Sequence, residues 1–148
     1  EPVDGLDPVM RRQVWSLLMG DVAQRGTTVL VSSHNLRELE DVCDHVGFLH
    51  KGGILLSREL EDMKFHIHKI QCVLQDKKLE DALRKELDVL KIDHQGSLTL
   101  ITARGTRTEI MHRIQEKNPL FCEVLPLSLE EIFISETEVA GYEIKNLF

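Results

Sequence analysis

The segment at residues 27–34, TTVLVSSH, limits the possible folds of this chain more than any other. It is a continuous, apolar, β-branched run of the kind that is buried on both faces of a parallel sheet. Before it, Asp7-Pro8 predicts the start of a helix, and Arg25-Gly26 predicts its end. A helix joined to a buried strand by a short glycine link is half of an α/β repeat, so we expect an α/β fold.

The residues that follow this strand complete a first predicted region. NLRELEDVCD predicts a second helix, and HVGFLHKGGILLS predicts a β-hairpin with Gly52-Gly53 at its turn. A short helix is expected at about residues 58–63. We therefore assign residues 1–64 to one domain.

From residue 65 onward the pattern becomes that of a small α+β domain. Strand, helix, two strands around Gln95-Gly96, helix and strand follow one another, and a last helix begins at SLEEIF. Two capping boxes, Thr106 with Glu109 and Ser128 with Glu131, predict the starts of the last two helices. The order βαββαβ predicts a ferredoxin-like domain over residues 65–148.

Composition excludes several function classes. The net charge is -7 and basic residues are scattered, so we expect no nucleic-acid partner. No apolar run approaches the roughly 18 residues of a membrane span, and the three cysteines form no CxxC, so we expect a soluble cytoplasmic chain. His66 and His68 are predicted to lie on one face of a strand, but no third ligand lies at a suitable spacing, so we predict paired solvent-facing histidines and no metal site.

Three motifs, taken together, resemble a known family. EPVDGLDP, then VSSH, then HKGGIL occur in the order found in the C-terminal half of the ATP-binding subunit of ABC transporters. LSLEEIF resembles the segment that closes the accessory domain of ABC-2-type exporter ATPases. The resemblance implies a truncated P-loop NTPase (RecA-like) nucleotide-binding half, followed by the ferredoxin-like accessory domain.

The resemblance also assigns roles to individual residues. Glu1 matches the catalytic glutamate, which orients or deprotonates the water that attacks the γ-phosphate. His34 matches the switch histidine, which hydrogen-bonds the γ-phosphate. The D-loop, which meets the opposite subunit, corresponds to Asp4, Gly5, Leu6 and Asp7, although the family more often has a small residue where Asp4 stands.

The motifs that hold the nucleotide are absent from this sequence. It has no GxxxxGK[ST] loop, no Walker B aspartate before Glu1, no Q-loop glutamine and no LSGGQ-type signature. Because positioning supplies most of the catalysis in phosphoryl transfer, we expect this chain alone to be inactive. ATP and Mg²⁺ are therefore expected only for the intact protein, which the resemblance pairs with an integral membrane permease and a second ATPase subunit. It would lie on the inner face of the cell membrane.

Simpler interpretations remain open beside these roles. Glu1 could be an incidental terminal carboxylate, and His34 could cap the helix that follows it. The whole chain could instead be a non-enzymatic ligand-sensing or dimerisation module without its own ATP site. The apolar run at residues 27–33 would be left without parallel neighbours, so we expect the isolated chain to self-associate.

Overall fold

The computed structural model describes residues 1–139. It contains two compact units, one over residues 1–43 and one from residue 44 onward. Both mix helices with extended segments or sheets, so the predicted class of mixed α/β structure is confirmed at that level. Within the described residues, no helix is both long enough and apolar enough to cross a membrane.

The first unit is built from two helices. Helix α1 is Pro8–Arg25, and the Asp7 side chain caps it as predicted. Gly26 ends α1 in the left-handed conformation, with φ of 65°, which a residue without a Cβ adopts most easily. Helix α2 is Leu36–Val42, with Asn35 as its N-cap.

The predicted strand at residues 27–34 is wrong for this structure, which has no strand in that segment. Leu30 is 98% exposed, and residues 27–34 alternate between half-buried and exposed, so neither face of the run is fully buried. A strand exists only by hydrogen bonding to a neighbour, and no other segment among residues 1–139 pairs with this one. Residues 27–34 therefore have the composition of a buried strand, but the structure pairs them with no neighbouring strand among residues 1–139.

The second unit begins with the predicted hairpin. Strands β1 (His45–His50) and β2 (Gly53–Glu59) pair in an antiparallel manner. The turn residues are Lys51 and Gly52, both with positive φ, as in the tight turns that match the twist of a hairpin. The turn therefore lies one residue earlier than predicted, and Gly53 belongs to β2.

Helix α3 (Leu60–His66) leads into a four-stranded antiparallel sheet. The sheet order is β4-β5-β3-β6. Its strands are β3 (Ile67–Val73), β4 (Asp88–Gln95), β5 (Leu98–Arg104) and β6 (Phe121–Leu125). Helix α4 (Lys77–Glu86) connects β3 to β4, and helix α5 (Arg107–Gln115) connects β5 to β6.

The main core of this unit lies between one face of the sheet and helices α4 and α5. Its members are buried residues that alternate along β3 and β5 or recur along the two helices. They are Ile70, Cys72, Leu83, Leu87, Ile101, Ala103, Ile110 and Ile114. This apolar layer holds the sheet rigidly against the helices.

Helix α6 (Leu129–Val139) contacts the opposite face of the sheet. Lys69 and Arg104 are offset by one position from core residues on the same strands, so they point away from that core. Both bind carboxylates of α6: Lys69 binds Glu131, and Arg104 binds Glu136. The sheet therefore has helices on both faces.

The two compact units meet between Cys43 and Asp44. The predicted domain boundary lies later, between residues 64 and 65, so the β1–β2 hairpin packs within the second unit. The predicted boundary between residues 64 and 65 separates functional domains rather than compact units, so it stays a prediction.

Candidate active site around Glu1 and His34

The predicted site residues at the start of the chain lie in a tight turn before α1. The backbone N–H of Leu6 donates to the carbonyl oxygen of Val3 at 3.2 Å, and the Val3 side chain is buried. Gly5 has φ of 78°, in the left-handed region that favours glycine. The turn reverses the chain, and α1 begins directly after it.

Asp7 ends this turn as a helix cap. Its Oδ1 accepts hydrogen bonds from the backbone N–H groups of Val9 and Met10, both at 2.9 Å. These bonds satisfy two of the amides that an α-helix leaves unpaired at its start. The carboxylate of Asp7 is therefore committed to α1, and Asp7 is not part of the cluster that contains Glu1.

Glu1 and His34 lie in direct contact, although they are far apart in the sequence. The distance from His34 Nδ1 to Glu1 Oε1 is 2.5 Å. The α-amino group of Glu1 also donates to Ser32 Oγ at 3.4 Å. Both side chains are solvent-exposed, at 70% for His34 and 46% for Glu1. The structure therefore brings the two predicted catalytic residues together.

Each partner shifts the titration of the other. The hydrogen bond to His34 lowers the pKa of Glu1, and Asp4 adds a second bond that acts in the same direction. The hydrogen bond from Glu1 raises the pKa of His34, and the charges of Glu1 and Asp4 raise it further. A carboxylate and an imidazolium are therefore both favoured, as expected for neighbouring groups of opposite charge.

Asp4 completes a small cluster with these two residues. One ligand atom from each of Glu1, Asp4 and His34 lies within 4.8 Å of the others. Carboxylates and imidazole can bind divalent cations, but exposed acidic groups are common without one. Of the four predicted D-loop residues, Asp4 alone joins Glu1 and His34; Gly5, Leu6 and Asp7 shape the turn and the helix start.

His34 is not the cap of the helix that follows it. Asn35 takes that position, and its Oδ1 accepts from the backbone N–H of Glu38 at 3.4 Å. The Asn35 backbone N–H in turn donates to Ser33 Oγ at 3.0 Å. The capping interpretation of His34 is therefore wrong, and its imidazole contacts Glu1 instead.

No sequence signal indicated how α1 and α2 pack together. Trp15 Nε1 donates to Glu38 Oε1 at 2.9 Å, and Arg11 Nε lies 3.8 Å from the same oxygen. Trp15 is 8% exposed, so it is a packing residue. An open groove of about 520 Å³ lies between the two helices; its lining includes Arg11, Arg12, Trp15, Arg37, Glu38 and Asp41.

His66 and His68 do not share a strand face, contrary to the prediction. His66 is the last residue of α3, and its Nε2 lies 3.2 Å from Asp62. His68 lies in β3, and its Nε2 is 2.8 Å from the carbonyl oxygen of Phe65. Helix α3 extends further than expected, which separates the two imidazoles.

Comparison with curated proteins shows what this chain resembles. It is 31% identical over 136 residues to the ABC transporter ATP-binding protein YtrB of Bacillus subtilis, over 92% of this chain and 46% of YtrB. It is 26% identical to the bacitracin transport ATP-binding protein BcrA of Bacillus licheniformis, over 98% of this chain and 46% of BcrA.

A third relative is the uncharacterized ABC transporter ATP-binding protein sll0415 of Synechocystis, 33% identical over 95% of this chain and 39% of that protein. No family model matches the chain. The chain thus spans about half the length of the curated relatives it matches.

Proposed function

We propose that this chain, whose homologues are ABC transporter ATP-binding proteins, belongs to a subunit that hydrolyses Mg-ATP to drive transport across a membrane. The observation that carries the proposal is the contact between Glu1 and His34. A carboxylate and an imidazole held side by side are the groups that this reaction needs near the γ-phosphate.

Glu1 would act on the attacking water. Its lowered pKa keeps the side chain ionised at neutral pH, and an ionised carboxylate can orient the water or accept its proton. His34 would contact the γ-phosphate. Glu1 engages Nδ1, so Nε2 is the nitrogen that would donate a hydrogen bond to the phosphate oxygen.

The cluster of Glu1, Asp4 and His34 offers donor atoms that suit Mg²⁺. Glu1 and Asp4 carry carboxylate oxygens, the ligand type that Mg²⁺ prefers. Bound Mg²⁺ would neutralise charge on the transferring phosphoryl group. We propose that the phosphate-binding loop lies in the half of the relatives that this chain does not match.

The remaining parts of the proposal concern partners and domains. A second copy of the subunit would meet this one at the D-loop, residues 4–7, and an integral membrane permease would hold the pair at the inner face of the cell membrane. Residues 65–148 would form a ferredoxin-like accessory domain, as in ABC-2-type exporters. The antiparallel order β4-β5-β3-β6, with α4 and α5 on one face, supports that assignment.

The test uses the full-length protein encoded with this segment. Glu1→Gln removes the basic carboxylate but keeps its size, so we expect ATP to bind while the steady-state rate falls about 10²–10⁴-fold. His34→Ala should reduce the same rate because the γ-phosphate loses a donor.

The matched control is Glu123→Gln, a change of the same chemistry at an exposed position of β6. It should leave the rate unchanged. Wild-type protein that binds no ATP, or Glu1→Gln and His34→Ala variants with full activity, would overturn the proposal.

A further inference from the structure

Two of the three cysteines face each other across neighbouring strands of the second unit. Cys72 of β3 is the register partner of Cys122 of β6. Residues that lie directly opposite in an antiparallel pair point to the same face of the sheet, and their Cα atoms are about 4.5–5.5 Å apart. A disulfide joins Cα atoms that are about 4.4–6.8 Å apart. The strand register therefore holds the two thiols at the separation that a cross-strand disulfide requires.

Both thiols lie on the face of the sheet that packs against α4 and α5. Cys72 is fully buried in the apolar core, and the half-buried Cys122 packs against the same core. Cys122 Sγ lies 3.8 Å from Met111 Sδ of α5. Burial raises the pKa of both thiols, to about 11 for Cys72, where the neighbouring Cys122 adds to the effect. Both groups are therefore protonated and uncharged at neutral pH.

This environment suits a covalent bond better than a metal ion. Among residues 1–139, neither sulfur belongs to a three-ligand group of His, Cys, Asp or Glu side chains. Metal binding would also require thiolates, and burying their charge in an apolar core is costly. A disulfide carries no charge and needs no further ligand. The surroundings of the two thiols therefore favour their oxidation to a disulfide.

We propose that Cys72 and Cys122 form a redox-sensitive pair, which a peroxide oxidises to a disulfide that fixes strand β6 to strand β3. This assignment goes beyond the proposed function and does not depend on ATP hydrolysis. In reducing compartments such disulfides are mostly transient, so we expect the bond to be reversible.

The more exposed thiol, Cys122, would react first. It loses its proton and attacks one oxygen of hydrogen peroxide, the O–O bond breaks, and the departing hydroxide takes up a proton and leaves as water. The product is a sulfenic acid at Cys122. The Cys72 sulfur then attacks the sulfenic sulfur, and the displaced hydroxide leaves as water with the Cys72 proton. The two thiols thus give two electrons to the peroxide, and one disulfide and two water molecules result.

The disulfide would act on an edge strand. Strand β6 is last in the sheet order, so within the described residues β3 is its one strand neighbour. It is also short, with five residues. The new bond would close a covalent loop that contains α4, β4, β5 and α5, and such a loop restricts the unfolded chain. Oxidation should therefore stabilise the second unit and keep β6 paired.

The test treats the folded chain with hydrogen peroxide at low protein concentration, which disfavours bonds between molecules. Cys43→Ser is the starting variant, because it leaves Cys72 and Cys122 as the only thiols. We expect the oxidised chain to lose the mass of two hydrogen atoms and to regain it with dithiothreitol. Trypsin cleaves after Lys77 and Lys117, so the two cysteines fall in separate peptides and their linkage can be read from the peptide mass.

Three further variants in the same background test the geometry and the order of reaction. Cys122→Ala/Glu123→Cys moves one thiol by a single position. Glu123 pairs with Gln71 and lies on the opposite face of the sheet from Cys72, so this variant should form no link. Cys72→Ala and Cys122→Ala each leave one thiol, whose sulfenic acid dimedone traps. We expect about 10-fold more dimedone adduct in Cys72→Ala, because it retains the more exposed thiol.

The linked chain should also be more stable. We expect the disulfide to raise Tm by about 10 °C, and dithiothreitol to reverse the rise. Addition of oxygen without a link in the folded chain, or an equal yield of link from Cys122→Ala/Glu123→Cys, would overturn the assignment of the pair. Equal dimedone adducts in the two alanine variants would overturn the order of reaction. An unchanged Tm of the linked chain would overturn the fixing of β6.

Discussion

The side chain of Glu131 offers a sharp test of how α6 is held in the second unit. Its Oε2 accepts from the backbone N–H of Ser128 at 3.0 Å, and its own backbone N–H donates to Ser128 Oγ at 3.2 Å. This is the predicted capping box in its reciprocal form. Its other oxygen, Oε1, binds Lys69, whose side chain is 23% exposed. One residue therefore serves as both helix cap and anchor.

Two substitutions separate these roles. Glu131→Gln keeps an acceptor for Ser128 but removes the charge, so it tests the ion pair and the favourable negative charge at the helix start. A partly exposed pair contributes up to about 1 kcal/mol, and the helix-start charge a few tenths more. We expect Glu131→Gln to lower the free energy of unfolding by about 1 kcal/mol. Glu131→Ala also removes the cap, which contributes about 1 kcal/mol, for a total of about 2 kcal/mol.

The assay is urea unfolding of the chain at neutral pH, with thermal unfolding as a second readout. Each kcal/mol should lower Tm by about 4–8 °C in a domain of this size. Glu130→Gln, an exposed neighbour in the same helical turn, is the control and should cost at most a few tenths. Equal unfolding curves for wild type and Glu131→Ala would refute both the cap and the anchor.

The same residue gives a pH dependence with a defined sign. Burial opposes ionisation of Glu131, but the hydrogen bonds from Lys69 and Ser128 outweigh it and lower its pKa from 4.5. A carboxyl group with a lowered pKa stabilises the folded state above its unfolded pKa, and the stabilisation disappears as the pH falls through the folded pKa. The difference between wild type and Glu131→Gln should therefore shrink below about pH 4.5. A difference that is constant from pH 7 to pH 3 would contradict the ionic role.

Three further predictions follow from other parts of the molecule. Leu83→Ala, at a fully buried position of α4, should cost about 3 kcal/mol in urea unfolding, whereas Leu120→Ala, at a position 72% exposed, should cost less than about 0.5 kcal/mol; equal costs would contradict the core assignment. NMR titration should give His34 a pKa above its usual 6.5, and Glu1→Gln should bring it back toward that value; an unchanged pKa would show that the contact is absent in solution. Sedimentation should detect self-association of the chain that Leu30→Asp weakens, because Leu30 is 98% exposed; a monodisperse monomer at high concentration would contradict it.

Local signals were sufficient for most elements of this fold. Asp7-Pro8 and Gly26 bound α1, and Ser128 with Glu131 opens α6, because caps and helix stops act within one turn of the chain. Alternation of apolar residues also located β3, where Ile70 and Cys72 are fully buried. These features depend on residues close in sequence, so the sequence alone carries them.

Apart from small errors in the bounds of the hairpin turn and of α3, the failures involve partners that lie far apart in the sequence. Residues 27–34 have the composition of a buried strand, yet a strand also needs a hydrogen-bonding neighbour. The bond from Trp15 to Glu38 depends on how two helices pack, which helical periodicity does not specify. The Glu1–His34 contact could be expected only from the family resemblance, because nothing in the spacing of the two residues brings them together.

The position of the hairpin is the most informative of these differences. The sequence pattern places residues 45–59 with the first predicted region, whereas by packing they belong to the second unit. The packing of the hairpin is carried by Phe48 of β1, whose ring stacks on the ring of Phe133 in α6. A two-stranded hairpin is only marginally stable alone, so burial of its aromatic side chain against a helix stabilises it. This contact joins residues 85 positions apart in the sequence, and for that reason the local pattern of residues 45–59 did not indicate which unit the hairpin packs with.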